Sequence, residues 1–335
     1  MTRSLQRMLA PKKLAVIGGR EAERVVEQCI KFGFQGAIWP VHPTRDVMYG
    51  HDCFRSVADL PEAPDAAYIA VNRERTVGIV AELSSRGCGG AVCYAAGFAE
   101  ADAEDDDAAS LQSRLLDAAG DMPIIGPNCY GFLNAMEGAA VWPDQHGVKR
   151  VESGVAILAQ SSNLAISLTM QRRGLPLAFT GTLGNQAQTG ISEMAMVLLE
   201  DPRITALALH IEGLDDVCAF ERLAMRARAL CKPIVVLKVG RSRQAQAATL
   251  THTASLAGGD RAHDALFRRL GVARAETIDQ FLETLKLLHC GGALGGNSLA
   301  SLSCSGGEAA LMADAGEGRD VEFPQFAAVT TAALK

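Results

Sequence analysis

Residues 13–41 read KLAVIGGREAERVVEQCIKFGFQGAIWPV, and this stretch decides the fold class. The apolar run 14–17 predicts a buried strand, and residues 36–41 predict a second strand. Between them, residues 21–32 place their apolar side chains at helical spacing. A helix between two strands that are apolar throughout indicates parallel strands covered by helices on both faces.

The same alternation continues outward from this stretch. The first half contains three further strand candidates separated by two helical patterns: strands 66–71, 90–94 and 123–126, and helices 74–85 and 106–119. After a turn-rich break at 142–153, a second series begins: strands 154–159, 177–183, 206–210 and 233–238, and helices 163–173, 220–230 and 278–288. A third segment follows the glycine-rich residues 291–296, with a strand expected at 299–303 and a helix opened by Gly306 and Gly307.

This pattern predicts an α/β chain with three parts. We expect domains at 1–145 and 150–290, and a partial third α/β domain at 296–335. Too few residues follow position 296 to close a sheet. Either this tail docks on a neighbour or the chain is a fragment of something longer, and we favour the fragment.

Composition narrows the function class. The chain has 335 residues, of which 48% are hydrophobic and 21% are charged, which excludes a disordered protein. A net charge of −6 without a long basic block disfavours nucleic acid and anionic membranes as partners. No apolar run approaches the ~20 residues of a membrane span, and residues 1–11 lack the apolar core of a secretory signal.

The cysteines and histidines indicate a compartment but no metal. Nine cysteines, an odd number without a CxxC pair, indicate reduced thiols in the cytoplasm. The seven histidines also lack metal-site spacing, so we expect no metal ligands in this chain.

The turn after the first strand contains Gly18 and Gly19. Glycine at this point lets the backbone approach a phosphate. The two later glycines of a GxGxxG dinucleotide motif are missing, however, so a nicotinamide site is disfavoured. A plain tight turn, or a looser site for a nucleotide such as the adenylate end of coenzyme A (CoA), remains open.

The sequence IGPNCYG at 125–131 follows another strand and should lie at the carboxyl edge of the sheet, where α/β proteins bind ligands. Pro127 stiffens the turn, and Asn128 offers both donors and an acceptor. We therefore interpret it as a ligand-contact loop. Cys129 is either a nucleophile or, as for most buried cysteines, an inert thiol.

Three polar segments of the second half also follow strands. Gln160, Ser161 and Ser162 precede a helix, where hydroxyls cap the helix and free N–H groups can hold an anion; capping alone is the alternative. Glu212 could orient an imidazole or accept its proton, or be a surface acid. His252 lies within 238–260, whose small residues suit a mobile loop, so we interpret it as a functional imidazole.

Together, these segments resemble the NDP-forming acyl-CoA synthetase family, which includes the ADP-forming acetyl-CoA synthetases and the α subunit of succinyl-CoA synthetase. Nine matching motifs occur in the family's order: KLAVIG (13–18), WPVHP (39–43), AGFAE (96–100), GPNCYG (126–131), AQSSNL (159–164), LGNQ (183–186), HIEG (210–213), VLKVGRS (236–242) and THTASLAG (251–258). Ser305, Gly306 and Gly307 resemble the start of the family's third domain.

The resemblance implies a fold and a reaction. The fold would be a Rossmann-like CoA-binding domain followed by a flavodoxin-like ligase domain that carries a phosphohistidine loop. The reaction would convert a small carboxylic acid, CoA and ATP to acyl-CoA, ADP and phosphate through an acyl phosphate.

The resemblance also implies roles for individual residues. His252 would carry the phosphoryl group and Glu212 would contact it. The remaining matched positions would hold phosphate (Gln160, Ser161, Ser162) or face CoA (Gly18, Gly19, Pro127, Asn128).

At two of these places the sequence differs from the family's usual pattern. Gly19, Arg20 and Glu21 replace the usual glycine- and serine-rich turn, which leaves the contacts to the CoA phosphates undefined. The family's QSG sequence reads Gln160, Ser161, Ser162 here, with an extra hydroxyl.

The resemblance further implies partners. No segment matches the family's ATP-grasp domains, so a β-type subunit or a fused domain would supply ATP/ADP and Mg²⁺. We expect a cytoplasmic oligomer. The alternative is a non-catalytic CoA-binding module of an acyltransferase-fused or regulatory protein, although the presence of both His252 and Glu212 favours catalysis. The sequence does not indicate which acid is the substrate, or whether the reaction forms ADP or GDP. We expect the acyl pocket where the two sheets meet, with Phe179, Leu183 and Asn185 as candidate lining.

Overall fold

The computed structural model describes residues 2–101, 107–214, 216–242, 244–245, 259–292 and 294–334. The first sheet is parallel and has the strand order β2-β1-β5-β6-β7. Its strands are β1 (Lys13–Gly18), β2 (Ala37–Val41), β5 (Ala66–Ala70), β6 (Ala91–Cys93) and β7 (Ile124–Ile125). A small hairpin, β3 (Val47–Met48) and β4 (His51–Asp52), follows β2. The helices of this part are α1 (Thr2–Leu9), α2 (Arg20–Phe32), α3 (Arg73–Ser85) and α4 (Ala108–Ala119).

The second sheet has seven strands in the order β14-β13-β12-β10-β11-β8-β9. Five are mutually parallel: β10 (Gly154–Ala159), β11 (Leu177–Thr182), β12 (Ile204–Ile211), β13 (Ile234–Lys238) and β14 (Ala273–Ala275). Two earlier strands, β8 (Phe132–Asn134) and β9 (Ala139–Val141), add antiparallel pairs at the β11 edge. Among the described residues, the helices that accompany this sheet include α5 (Ser162–Thr169), α6 (Ile191–Leu199), α7 (Val217–Ala229), α8 (Asp260–Leu270) and α9 (Ile278–Gly291).

Burial on both faces explains the apolar strands. Along β1, Leu14 and Val16 belong to one hydrophobic core, whereas Ala15 and Ile17 belong to a second core on the opposite face. Successive side chains of a strand point to opposite faces, so a strand covered on both sides must be apolar at every position. The predicted α/β class is confirmed.

Strand order places the ligand-binding edge in each sheet. In the first sheet the chain crosses back over β1 between β2 and β5, and in the second it crosses back over β10 between β11 and β12. Ligands of open α/β sheets bind outside the carboxyl ends of strands at such reversals. The residues that follow β1, β5, β10 and β12 therefore occupy the positions where a site is expected.

Several elements differ from the sequence-based predictions. The helix predicted at 163–173 ends at Thr169, whose hydroxyl bonds back to the Ile166 carbonyl (2.7 Å) and also accepts from the Gly147 N–H (3.3 Å). The strand predicted at 299–303 does not form; a single bridge pairs Ser298 with Glu322. Among the described residues of 2–292, eight strands and α-helices were not predicted: α1, α6, α8, β3, β4, β8, β9 and β14. The helix at Ala328–Ala333 was not predicted either.

Residues 294–334 belong to a separate compact unit. It contains α10 (Gly306–Gly316), which begins at the predicted glycine pair and is capped by Ser305, and α11 (Ala328–Ala333). Large apolar side chains of this unit are exposed; Leu302 is 87% exposed and Val329 is 77% exposed. Across the described ranges, none of the helices combines the length and apolar character needed to cross a bilayer.

Candidate active site

The two glycines where β1 ends, Gly18 in the strand and Gly19 directly after it, differ in what surrounds them. Gly18 has φ = 135°, and a Cβ atom there would lie 2.2 Å from the Ala70 carbonyl oxygen of neighbouring β5. Close strand packing therefore already requires glycine at this position. A Cβ atom at Gly19, the N-cap of α2, would meet no atom within 4 Å. Packing does not explain Gly19, which leaves an open backbone approach to the start of α2.

The loop after β7 is hydrogen-bonded to two other loops, the one after β6 and the one after β11. The Asn128 N–H donates to the Ala95 carbonyl (2.9 Å), and Asn128 has φ = 58°. The buried Pro127 contributes its carbonyl, which accepts from the Asn185 N–H (3.0 Å). The Gly126–Pro127 peptide bond is cis. Asn128 is thus presented at the surface on a backbone that both loops hold.

Cys129 lies beneath this loop and is only 1% exposed. Its thiol lies beside the Cys93 carbonyl, and burial raises the pKa of the Cys129 thiol. Because the thiolate is the reactive form of cysteine, this environment disfavours Cys129 as a nucleophile.

Sequence reasoning missed Thr182, the last residue of β11. Its buried hydroxyl oxygen accepts the N–H groups of Tyr130 and Gly131, each at 3.1 Å, and lies 3.2 Å from the Gly131 carbonyl. This side chain joins the end of the 126–131 loop to the second sheet. Thr182 itself gave no signal in the sequence, because a threonine in a strand is ordinary.

Gln160, directly after β10, clamps the turn after β12. Its side-chain oxygen accepts the N–H groups of Glu212 and Gly213 (3.1 Å to the latter), and its side-chain nitrogen donates to the Gly213 carbonyl (2.8 Å). Gln160 is buried, with only 8% of its surface exposed. A buried amide with its oxygen and nitrogen both bonded fixes the Glu212 backbone against the start of α5.

The two serines begin α5. The Ser161 hydroxyl accepts the Leu164 N–H (3.3 Å), so Ser161 is the N-cap, and Ser162 is the first helical residue. The first turn of a helix has N–H groups without intrahelical acceptors and the positive end of the helix dipole. The capping interpretation is therefore correct for Ser161, and anion binding stays a prediction.

A buried cationic side chain lies behind Glu212. The Lys238 ammonium group at the end of β13 donates to the carbonyls of Glu212 (2.8 Å) and Val239. Burial lowers the pKa of Lys238. The neighbouring His210 is 3% exposed, and burial, with a smaller contribution from Lys238, lowers the pKa of its imidazole to about 4. Lys238 thus holds the turn after β12 through the Glu212 carbonyl, and the nearby buried imidazole of His210 is neutral.

These strand ends enclose one cleft with a volume of about 510 Å³. Its lining comprises Tyr94, Ala96, Asn128, Cys129, Tyr130, Gln160, Ser161, Ser162, Asn163, Gly184, Asn185 and Glu212. Five predicted site residues are therefore brought together: Asn128, Gln160, Ser161, Ser162 and Glu212. Gly18, Gly19 and Pro127 do not line this cleft. His252 lies outside the described residues.

Of the three residues expected to line the acyl pocket, one lines the cleft and two lie in the core. Asn185 lines the cleft, and its side-chain amide donates to Glu100. Glu100 also accepts the Gly97 N–H (2.7 Å), so it orders the loop after β6. Phe179 and Leu183 are fully buried, and Phe179 stacks on Phe132 with ring centroids 5.5 Å apart. The prediction that these two side chains line the cleft is wrong, because both belong to the core.

Comparison with known families agrees with this architecture. The CoA binding domain family matches residues 12–135, and the succinyl-CoA ligase like flavodoxin domain family matches residues 152–288. The chain belongs to the NDP-forming acyl-CoA synthetase family, as its CoA-binding, α-subunit-like part. The predicted Rossmann-like and flavodoxin-like folds are thereby confirmed.

Characterised relatives support the assignment. The chain is 33% identical to a trans-feruloyl-CoA synthase of an unknown prokaryotic organism, over 93% of this chain and 46% of the relative. It is 32% identical to the ADP-forming acetate–CoA ligase I of Archaeoglobus fulgidus, over 99% of this chain and 48% of the relative. The α subunit of the ADP-forming acetate–CoA ligase I of Pyrococcus furiosus is 27% identical, over 94% of this chain and 70% of that subunit.

A solved structure has the same fold. The dinucleotide forming acetyl-coenzyme A synthetase 1 of Ca. Korarchaeum cryptofilum, in complex with phosphate and ADP, superposes with a TM-score of 0.85 at 25% identity. The match covers 96% of this chain and 70% of that chain. The present chain spans about half the length of the relatives named first, the feruloyl-CoA synthase and the Archaeoglobus ligase.

Proposed function

We propose that this chain is the CoA-binding and phosphoryl-relay part of an acid–CoA ligase. The complete enzyme would convert a carboxylic acid, CoA and ATP to acyl-CoA, ADP and phosphate. The observation that carries this proposal is the single cleft in which the start of α5, Glu212 and Asn128 meet at the carboxyl edges of the two sheets.

In this proposal, the His252 imidazole accepts the phosphoryl group from ATP. A neutral imidazole is nucleophilic near pH 7, and its phosphoramidate is reactive enough to pass the group onward. The acid's carboxylate then takes the phosphoryl group from His252 to form an acyl phosphate. Finally, the CoA thiol attacks the acyl carbon, and phosphate leaves.

The start of α5 is the proposed phosphate cradle. A phosphoryl group carries close to two negative charges, and a helix N-terminus supplies roughly half a positive charge together with unpaired N–H groups. Ser161 and Ser162 add hydroxyls at the same place. Gln160 holds the Glu212 backbone beside them, so that the Glu212 carboxylate can orient the incoming imidazole.

CoA is proposed to reach the cleft from the first domain. Gly19 leaves the backbone at the start of α2 open, which suits a phosphate of CoA. Asn128, on the loop held by Pro127, offers amide groups at the cleft itself. Gly18 supports the turn through its packing against β5 rather than through a ligand contact.

The nucleotide is proposed to be bound elsewhere. A β-type ATP-grasp subunit, or a fused domain, would hold ATP or ADP with Mg²⁺ and phosphorylate His252. We further propose that domains 1–145 and 150–290 divide CoA binding from phosphoryl transfer, that 296–335 begins a third domain, and that the enzyme works as a cytoplasmic oligomer. The named relatives act on ferulate and acetate, so similarity alone does not select the acid.

Labelled ATP tests the relay directly. The chain, together with its ATP-grasp part, should take up acid-labile phosphate from ATP carrying a labelled γ-phosphate, and His252→Asn should abolish the label. His51→Asn is the matched control, since His51 lies in the β3–β4 hairpin and does not line the cleft. Label that persists in His252→Asn would overturn the relay. Calorimetric CoA binding without any label would instead support the non-catalytic module.

A further inference from the structure

Most of the chain's few tyrosines and tryptophans gather in one row. The sequence contains four tyrosines and two tryptophans. Three of those tyrosines and one tryptophan contact in series: Tyr68 with Tyr94 (ring centroids 6.1 Å apart), Tyr94 with Tyr130 (5.9 Å), and Tyr130 with Trp142 (5.5 Å). These residues come from four separate segments of the chain, so the fold assembles the row.

Burial varies along the row in an ordered way. The two end members, Tyr68 and Trp142, are fully buried. The two middle members, Tyr94 and Tyr130, are half-buried and line the cleft. The two end rings are therefore packed in the core. Each middle ring lies against a buried end ring on one side and lines the cleft. Burial raises the pKa of both middle hydroxyls, so the rings are neutral phenols.

The rest of the lining gives the cleft two chemically different walls. Ser161, Ser162 and Glu212 form a polar wall at the start of α5. Tyr94 and Tyr130 supply the aromatic rings among the described lining residues, because the others are small or carry amides. An acid whose carboxylate is placed at the polar wall would direct the remainder of the molecule into a cleft with an aromatic surface.

The size of the cleft admits an acid of more than two carbons. Its volume of about 510 Å³ lies within the range of ~300–1,000 Å³ that is usual for small-molecule sites. Aromatic rings also pack preferentially on other aromatic rings, in offset-stacked or edge-to-face arrangements. A planar aromatic acyl group therefore matches the ring surface, and it would share the volume with the phosphoryl group and the reactive end of CoA.

We propose that Tyr94 and Tyr130 are specificity-determining residues and that the acid is a monocyclic aromatic carboxylic acid. The proposal rests on the proposed function, since it assigns the substrate class of the same cleft. It predicts that an aryl acid is preferred over a saturated acid of equal carbon number, because only the aryl acid gains ring–ring contacts.

The test uses the full chain with its ATP-grasp part and measures thioester formation with paired acids. The pairs are phenylacetate with cyclohexylacetate, and 3-phenylpropanoate with 3-cyclohexylpropanoate; acetate is included as the short acid. We expect kcat/KM to be about tenfold higher for the aryl member of each pair, and higher still relative to acetate. Equal or reversed values within the pairs would overturn the proposal without the need for any variant.

Variants then locate the effect. Tyr130→Leu and Tyr94→Leu should each raise KM for phenylacetate roughly tenfold, and should raise KM for acetate and CoA by a smaller factor. Tyr130→Phe, which keeps the ring, should restore aryl preference. Tyr49→Leu is the matched control, because Tyr49 is the fourth tyrosine, is 51% exposed and does not line the cleft.

The outcomes separate this inference from the relay. Phosphorylation of His252 by ATP needs no acid, so labelled enzyme that forms acetyl-CoA but no aryl-CoA overturns the substrate assignment and leaves the relay intact. Absence of label overturns the relay itself. A rise in KM for CoA alone in Tyr130→Leu would assign the rings to the CoA arm and would also overturn the inference.

Discussion

The turns that follow β1 and β10 occupy the same position in their sheets yet are built differently. Each follows a central parallel strand and leads into a helix. After β1, Gly18 and Gly19 carry no side chains, and the backbone packs directly against Ala70. After β10, Gln160 and Ser161 use their side chains to bond the Glu212–Gly213 backbone and the start of α5. One topology thus provides an open backbone edge in one sheet and a polar, hydrogen-bonded edge in the other.

The largest expected effect concerns the first turn. Gly18→Ala should lower the free energy of unfolding by roughly 4 kcal/mol, since the new Cβ atom would lie 2.2 Å from the Ala70 carbonyl oxygen at a positive φ. Gly19→Ala should cost about 1 kcal/mol or less, because open space surrounds it. Urea unfolding of both variants makes the comparison. Equal losses would contradict the assignment of Gly18 to packing and Gly19 to an open edge.

The next effect concerns the second turn. Gln160→Leu should slow phosphorylation of His252 on the order of 100-fold, because the Glu212 turn loses its clamp and the catalytic geometry shifts. It should also cost about 2 kcal/mol of stability, since two buried N–H groups lose their acceptor. Rapid-quench labelling and urea unfolding measure the two quantities.

Gln171→Leu provides the matched control for this variant. Gln171 is exposed, and its side chain donates only to the Ser167 carbonyl one turn earlier in the chain. It should leave both the labelling rate and the stability close to those of the parent protein. Unchanged labelling in Gln160→Leu would show that phosphorylation of His252 does not need the bonds from the Gln160 side chain to the turn after β12.

A third prediction concerns the pH dependence of stability that arises from the buried His210 of β12. The pKa of His210 falls from 6.5 to about 4 on folding, so the unfolded chain binds the proton more readily between these values. Stability from this group is complete above pH 6.5 and is lost as the pH falls towards 4, by on the order of 3 kcal/mol. His210→Leu should flatten this part of the stability–pH curve. A curve of the same slope in the variant would remove His210 as the cause.

The smallest effect is expected at Cys129, under the loop that joins the two edges. Cys129→Ala should retain kcat within about twofold, because a buried thiol with a raised pKa supplies no thiolate. Iodoacetamide should modify the exposed Cys218 far faster than Cys129 in the parent protein. Rapid, inactivating modification of Cys129 would reopen its role as a nucleophile.

Local patterns predicted the regular elements well where burial was complete. Strand β10 begins and ends at the predicted residues, and β1 differs by one residue at each end, because a strand covered on both faces is apolar throughout. Short edge strands such as β8 and β9 were missed, since three residues of ordinary composition carry no periodic signal.

The candidate site was predictable only in part, for a related reason. Polar residues directly after strands identified Asn128, Gln160 and Glu212, because strand ends are where parallel sheets bind ligands. Thr182 carried no local signal, and the motif at 236–242 included Lys238 without giving it a role. The importance of both residues comes from bonds to backbone groups distant in the chain. Phe179 and Leu183 were misplaced because burial of an apolar side chain depends on the layers packed over it.

By itself, the sequence determined most of the buried parallel strands, several of the helices that follow them, and which side chains stand at those strand ends. These features depend on short-range patterns of apolar and polar residues. Only the tertiary structure decided that Gln160 clamps the turn after β12, and that Tyr68, Tyr94, Tyr130 and Trp142 form one row. Hydrogen bonds and ring contacts act over a few ångströms, so they form only after the crossovers have set the order of the strands.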